Sequence, residues 1–172
     1  MEKQEKYSLL FKQIESVTAD ENDAVAVMAN VAALIHETFH FWWTGFYRVT
    51  NNSSNSSNSP SRKISNSQLK TAPELILGPF QGPVACMHIG YGKGVCGTAW
   101  KERRTVVVPD VEQFPGHIAC SSESRSEIVV PVIQRDRVVA VLDIDSRELS
   151  AFDDTDAQWL EQIATAIAKT IY

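Results

Sequence analysis

A chain of 172 residues, 44% hydrophobic and 22% charged with a net charge of -5, has the composition of one domain built on a single sizeable core. No apolar run approaches the ~20 residues that a membrane span requires, and an acidic balance without a basic stripe argues against nucleic acid as a partner. The start, Met1-Glu-Lys-Gln-Glu-Lys-Tyr7, lacks the apolar stretch and cleavage pattern of a secretory signal, so a cytoplasmic, reducing environment is expected for the three cysteines.

Leu10, Ile14 and Val17 recur at helical spacing, and Thr18-Ala-Asp-Glu21 has the form of a capping box opening a second helix, with Ala24, Met28, Val31 and Ile35 on one face. Phe41 to Val49 is dense in aromatics and reads as a strand, on which Trp43 and Tyr47 share one face and Trp42 and Phe46 the other. Trp42 and Phe46 are expected to fill core, whereas the face of Trp43 and Tyr47 leaves room for a pocket wall. From about residue 50 to 68 the chain is almost all Asn and Ser. Such a tract buries too little to offset the entropy of ordering it, so a disordered loop is expected there, inserted in a single domain spanning residues 1–172. Its Asn-x-Ser triplets at Asn51, Asn52 and Asn55 are glycosylation acceptors only in a secreted protein.

Leu75 to Phe80, Val84 to Ile89 and Thr105 to Val108 read as strands, and Gly97 to Arg103 as a short helix. Glu127 to Ile133 and Arg137 to Asp145 are two further strands, joined at Gln134-Arg-Asp136 by a turn suited to an antiparallel hairpin. Asp153 can cap a closing helix that carries Leu160, Ile163, Ile167 and Ile171 on one face. The expected class is α+β, one mostly antiparallel sheet with the terminal helices packed together on one face.

Two groups of residues carry chemistry. Cys86, Cys96 and Cys120 stand in separate loops punctuated by glycine, in Gly82-Pro-Val-Ala-Cys86, Gly92-Lys-Gly-Val-Cys-Gly97 and Pro115-Gly-His-Ile-Ala-Cys120. A structural cysteine is normally one apolar residue among others; glycine beside a thiol clears bulk for a substrate or a second thiol, which points to redox or nucleophilic work. On the last strand, alternation sorts Val138, Ala140, Leu142 and Ile144 into the core and Arg137, Val139, Val141, Asp143 and Asp145 onto the opposite face. Asp143 and Asp145 then lie roughly 7 Å apart at ~3.3 Å rise per residue, with Glu127 on the neighbouring strand able to join them. Crowded carboxylates cannot all ionise cheaply, so one is expected to keep a proton at neutral pH and serve as a general acid. The plain alternative is a solvated strand end leading into a turn.

Two other motifs carry less. Gly92-x-Gly-x-x-Gly97 matches a dinucleotide fingerprint, but the following helix is too short for the crossover that such a site needs. Cys86, Cys96, Cys120 and His117 include zinc-ligand types, yet paired Cys-x-x-Cys motifs are absent.

Taken in order, Trp43-Thr-Gly-Phe-Tyr47, Leu77-Gly-Pro-Phe-Gln-Gly-Pro-Val-Ala-Cys86, Gly92-Lys-Gly-Val-Cys-Gly-Thr-Ala99, Pro109-Asp-Val111, Phe114-Pro-Gly-His-Ile-Ala-Cys120, Ser126-Glu-Ile-Val-Val-Pro131 and Val141-Leu-Asp-Ile-Asp-Ser146 resemble the free methionine-(R)-sulfoxide reductases, single-domain GAF-type proteins. The resemblance covers nearly the whole chain except the Asn/Ser insertion. It implies a GAF fold: a six-stranded antiparallel sheet with the N- and C-terminal helices behind it, a ligand pocket in front, and a homodimer. It also implies reduction of free L-methionine (R)-S-oxide to methionine. By resemblance Cys120 is the nucleophile, Cys86 the resolving thiol, and Cys96 an alternative resolver or a relay. Glu127, Asp143 and Asp145 correspond to the acids that hold the sulfoxide oxygen and the substrate's polar groups. Trp43 corresponds to the aromatic that receives the S-methyl group, with Tyr47 nearby. The implied reductant is thioredoxin or a thioredoxin-like protein, and no metal or organic cofactor is implied. Ser121 departs from the pattern, standing where an acidic residue often follows the nucleophile. A GAF module that binds a small molecule without turning it over is the rival expectation.

Overall fold

The computed structural model describes residues 2–50, 72–117 and 122–171. Most of the expected Asn/Ser loop, and Cys120 with it, therefore lie outside the described residues. Helices α1 (Lys3–Thr18) and α2 (Ala24–Phe39) open the chain. Their junction differs from the capping box read in the sequence: the Thr18 hydroxyl donates back to the Ile14 carbonyl at 2.8 Å, closing α1. Asp23 is the residue that starts α2, its carboxylate accepting from the Ala26 amide at 2.8 Å, while Glu21 accepts from the amides of Asn22 and Asp23.

Six strands follow: β1 (Trp43–Thr50), β2 (Glu74–Gln81), β3 (His88–Gly90), β4 (Val106–Val108), β5 (Ser126–Gln134) and β6 (Arg137–Ser146). They form one sheet in the order β3-β2-β1-β6-β5-β4, every neighbouring pair antiparallel. The strand expected from Val84 is shorter than read, because Gly82 has φ +125 and Pro83 has no amide to give, so the chain loops until His88. Helix α3 (Gly94–Glu102) begins three residues earlier than the sequence suggests, and α4 (Asp154–Ile171) closes the chain. Asp153 caps α4 as expected, accepting from the amides of Thr155 and Asp156. Among the described residues no helix is long and apolar enough to cross a membrane.

The face packed by α1, α2 and α4 holds the larger core, in which Phe46, Ile128, Val130, Val132, Ala140, Leu142 and Ile144 of the sheet meet Leu10, Ile14, Met28, Ile35, Leu160 and Ile163 of the helices. The first and last helices are also joined by polar contacts. Tyr7 donates its hydroxyl to buried Asp156 at 2.8 Å, and Lys3 reaches Asp156 at 2.7 Å and Asp153 at 2.8 Å.

The hairpin between β5 and β6 turns through Arg135 and Asp136, whose φ values of 46° and 60° give a left-handed turn suited to the sheet's twist. A bulge sits just beyond it: Val132 pairs with Ala140 and Ile133 with Val138, so Val139 is the extra residue. The alternation expected for β6 therefore holds from Ala140 onward and is reversed before it. Val138 joins the pocket-side cluster, and Val139 packs toward the helices.

On the other face α3 lies close against β3. A side chain at Gly97 would place its Cβ 2.5 Å from the Gly90 carbonyl oxygen, so this approach requires glycine.

Candidate active site

Sheet register gathers the site from three adjacent strands. Trp43 pairs with Asp145 and Gly45 with Asp143 across β1 and β6, while Glu127 pairs with Asp145 and Val129 with Asp143 across β5 and β6. The acids thus share the face opposite the main core, as alternation suggested, and line a cavity of about 570 Å³ including its open mouth. Trp43 and Tyr47 wall one side, Cys96 of α3 and His117 contribute to the rest, and residues Pro83 to Ala85 form part of the rim.

The aromatic wall is fixed by its neighbours. Trp43 stacks on Phe80 with ring centroids 5.4 Å apart and lies 6.0 Å from the Tyr47 ring. Gly45 makes this possible, since a Cβ there would fall 2.5 Å from Trp43 Cη2 and 2.4 Å from Phe80 Cβ. Both aromatics also donate to the loop before β3: Trp43 Nε1 to the Pro83 carbonyl at 3.1 Å, and the Tyr47 hydroxyl to the Cys86 carbonyl at 3.0 Å. The wall of the cavity therefore holds the segment that carries Cys86.

Trp42 departs from expectation. It precedes β1, so strand alternation does not reach it, and it packs at the cavity rim with the Arg147 guanidinium 3.4 Å above its ring instead of entering the helix-side core.

Electrostatics in the cavity favour protons on the acids. Glu127 is buried, and burial first, then the charges of Asp143 and Asp145, hold its carboxyl well above the usual range. Asp143 is raised by the same burial and by Asp145, with hydrogen bonding to Cys96 and Glu127 pulling the other way. Its Oδ1 is buried without a protein hydrogen-bond partner. Asp145, nearer the mouth, is pushed up to about 6 by burial, opposed by a hydrogen bond with Ser124. Burial lowers His117, whose Nε2 stands 3.9 Å from Glu127 Oε2. Tyr47 is raised by burial and by Asp143, so it stays a hydrogen-bond donor.

The cysteines are placed differently from one another. Cys96 lies in the first turn of α3 and not in a loop, 3% exposed, a free thiol. Burial and the charges of Asp143 and Glu127 push its thiol well up, so it is protonated at neutral pH despite the helix N-terminus beside it. Cys86 is disulfide-bonded, which removes it as a zinc ligand in this state. Cys120 lies outside the described residues.

Ser124, which touches Asp145, and the rim residues Trp42 and Val84 were not singled out from the sequence as site residues. Ser124 precedes β5 in a stretch of Ser and Glu without a periodic signal, so nothing local marks it.

Residues 21–171 match the GAF domain family model. The chain is 47% identical to "GAF domain-containing protein A" of Dictyostelium discoideum over 94% of its length and 89% of that protein. It is 38% identical to the "Free methionine-R-sulfoxide reductase" of Saccharomyces cerevisiae over 99% of its length and 88% of that protein. Its fold superposes on the X-ray structure of free methionine-R-sulfoxide reductase from Neisseria meningitidis in complex with its substrate, with a TM-score of 0.86 and 46% identity over 99% of this chain and 91% of that one. With the GAF fold in place from α2 to the end of α4, the chain belongs to the GAF-type free methionine-(R)-sulfoxide reductase family.

Proposed function

We propose that this protein reduces free L-methionine (R)-S-oxide to methionine by cysteine chemistry in the cavity between α3 and the sheet. The observation that carries the reading is the convergence of buried, proton-holding Glu127 and Asp143 with the aromatic wall of Trp43 and Tyr47. A thiolate attacks sulfoxide sulfur only if the oxygen is protonated or strongly hydrogen-bonded, and a neutral carboxylic acid at hand supplies that proton. Asp145, its pKa pushed up to about 6, is suited to passing the next proton in from the mouth. Trp43 offers an apolar face to the S-methyl group.

In this mechanism Cys120 attacks the sulfoxide sulfur, the S–O bond breaks, the oxygen is retained on Cys120 as a sulfenic acid, and methionine leaves. The Cys86 thiol then condenses with the sulfenic acid, releasing water and forming the Cys86–Cys120 disulfide. The disulfide-bonded state of Cys86 and the free, protonated state of Cys96 favour Cys86 as resolver, leaving Cys96 as a relay or structural thiol. An external dithiol of the thioredoxin type takes the oxidising equivalents by exchange. The resemblance implies a homodimer, and the sequence reading places it in the cytoplasm.

The test is to incubate reduced protein with each epimer of free methionine sulfoxide and with a peptide containing the sulfoxide, then measure methionine and titrate thiols. The expected result is consumption of the free R epimer with loss of a pair of thiols and no reaction with the S epimer or the peptide. Binding of the R epimer without thiol loss would make the domain a ligand sensor instead.

A further inference from the structure

Cys96 Sγ, a carboxylate oxygen of Glu127 and a carboxylate oxygen of Asp143 lie within 4.8 Å of one another, all on buried residues. They are presented by α3, β5 and β6, so their mutual placement is set by the fold and not by one flexible loop. Asp143 Oδ1 has no protein hydrogen-bond partner and Asp143 lines the cavity, leaving a buried acceptor for a group that enters there. His117 lines the same cavity, with Nε2 3.9 Å from Glu127 Oε2.

We propose that this pocket binds one Zn²⁺-class cation, held by Cys96, Glu127 and Asp143, with His117 completing the coordination. One sulfur, one imidazole nitrogen and two carboxylate oxygens form a donor set for Zn²⁺ or Co²⁺, whereas Mg²⁺ and Ca²⁺ ask for oxygen alone. Tetrahedral bonds of about 2.0–2.3 Å bring donors to roughly 3.5 Å from one another, so shifts of about 1 Å close the site around Cys96, Glu127 and Asp143, while His117, which stands outside that close group, turns further inward to supply the fourth donor. The Cys96 thiol proton and any carboxyl protons pass to the solvent buffer as the cation enters. The ligands are the side chains given above to substrate and proton transfer, so cation and substrate compete, and the metal acts as an inhibitor and not as a cofactor. Because Cys96 is free while Cys86 is disulfide-bonded, the site persists in the oxidised form.

The experiment uses the oxidised, full-length protein without any sulfoxide, so its outcome is independent of the reductase reading. The protein is incubated with zinc, cobalt or magnesium chloride, desalted, and assayed for retained metal and for its absorption spectrum. One retained Zn²⁺ or Co²⁺ per chain, no retained Mg²⁺, and a thiolate-to-cobalt charge-transfer band are expected. Cys96→Ser should abolish the band, and Asp143→Asn should weaken retention by at least about tenfold, the lower end of the loss when even a supporting partner of a metal site is removed. No retention by the unaltered protein, or a cobalt complex without the charge-transfer band, overturns the proposal whether or not the variants fold. Undiminished retention in folded Cys96→Ser or Asp143→Asn protein overturns it equally.

Discussion

Glu127 and Asp145 face each other directly across β5 and β6, and both carboxyls are held above their ordinary range chiefly by burial. A carboxyl whose folded pKa exceeds its unfolded value favours folding below the unfolded value, and that advantage is lost as pH rises through the folded one. For Asp145 the window runs from its unfolded value of 3.8 to about 6. Asp145→Asn should therefore be more stable than the unaltered protein at about pH 7.5 but not at about pH 4, by up to about 3 kcal/mol, reduced by solvent at the cavity mouth. Urea unfolding at both pH values checks this, and a gain of equal size at both would contradict it.

Asp143 sits deeper than Asp145, and in the proposed reaction its raised pKa suits it to deliver a proton to the sulfoxide oxygen. Asp143→Asn should lower kcat by about 10²-fold or more, the scale of general-acid contributions, with a smaller effect on KM. Steady-state kinetics with the free R epimer measures this, and an unchanged kcat would leave that carboxyl without a catalytic role.

Gly45 lies beneath the Trp43 indole and beside Phe80, with no space for a methyl group. Gly45→Ala should destabilise the fold by about 1–3 kcal/mol, the usual cost of overpacking, and displace Trp43 from the cavity. KM is expected to rise more than kcat falls. A variant with native KM would mean that Trp43 does not contact substrate.

The contact between Tyr7 and Asp156 joins the first and last helices far from the cavity. Tyr7→Phe should cost about 1–3 kcal/mol by leaving a buried carboxylate with one partner fewer. Its kcat/KM should stay at the native value, as thermal unfolding and an activity assay on the same preparation can verify.

The sequence carried the site's acids because β6 runs without interruption from Ala140 to Ser146, so parity alone places Asp143 and Asp145 with Val141 and opposite Leu142 and Ile144. The same parity failed at Val138 and Val139, since one bulged residue inverts a strand and no residue type there announces it. Trp42 failed for a related reason: alternation applies inside a strand, and β1 begins one residue later. The bonds from Trp43 and Tyr47 to the carbonyls of Pro83 and Cys86 span about forty residues of chain and depend on an irregular register between β1 and β2 near Gly45. Local pattern holds no record of such a contact. Cys96 is the instructive intermediate case, because its glycines were legible as space-making, yet the space serves close packing of α3 on β3 and leaves the thiol buried among acids.

The proposed reaction needs one cysteine that takes the oxygen from free methionine sulfoxide and a second cysteine that closes the disulfide. A rapid-quench single turnover with reduced protein in excess over the R epimer, run on the unaltered chain, Cys120→Ser and Cys86→Ser, reads both steps at once. Methionine should form in the unaltered chain and in Cys86→Ser, with a disulfide only in the former and a trappable sulfenic acid in the latter, and no methionine should form in Cys120→Ser. Methionine formation by Cys120→Ser at the native rate would contradict the account.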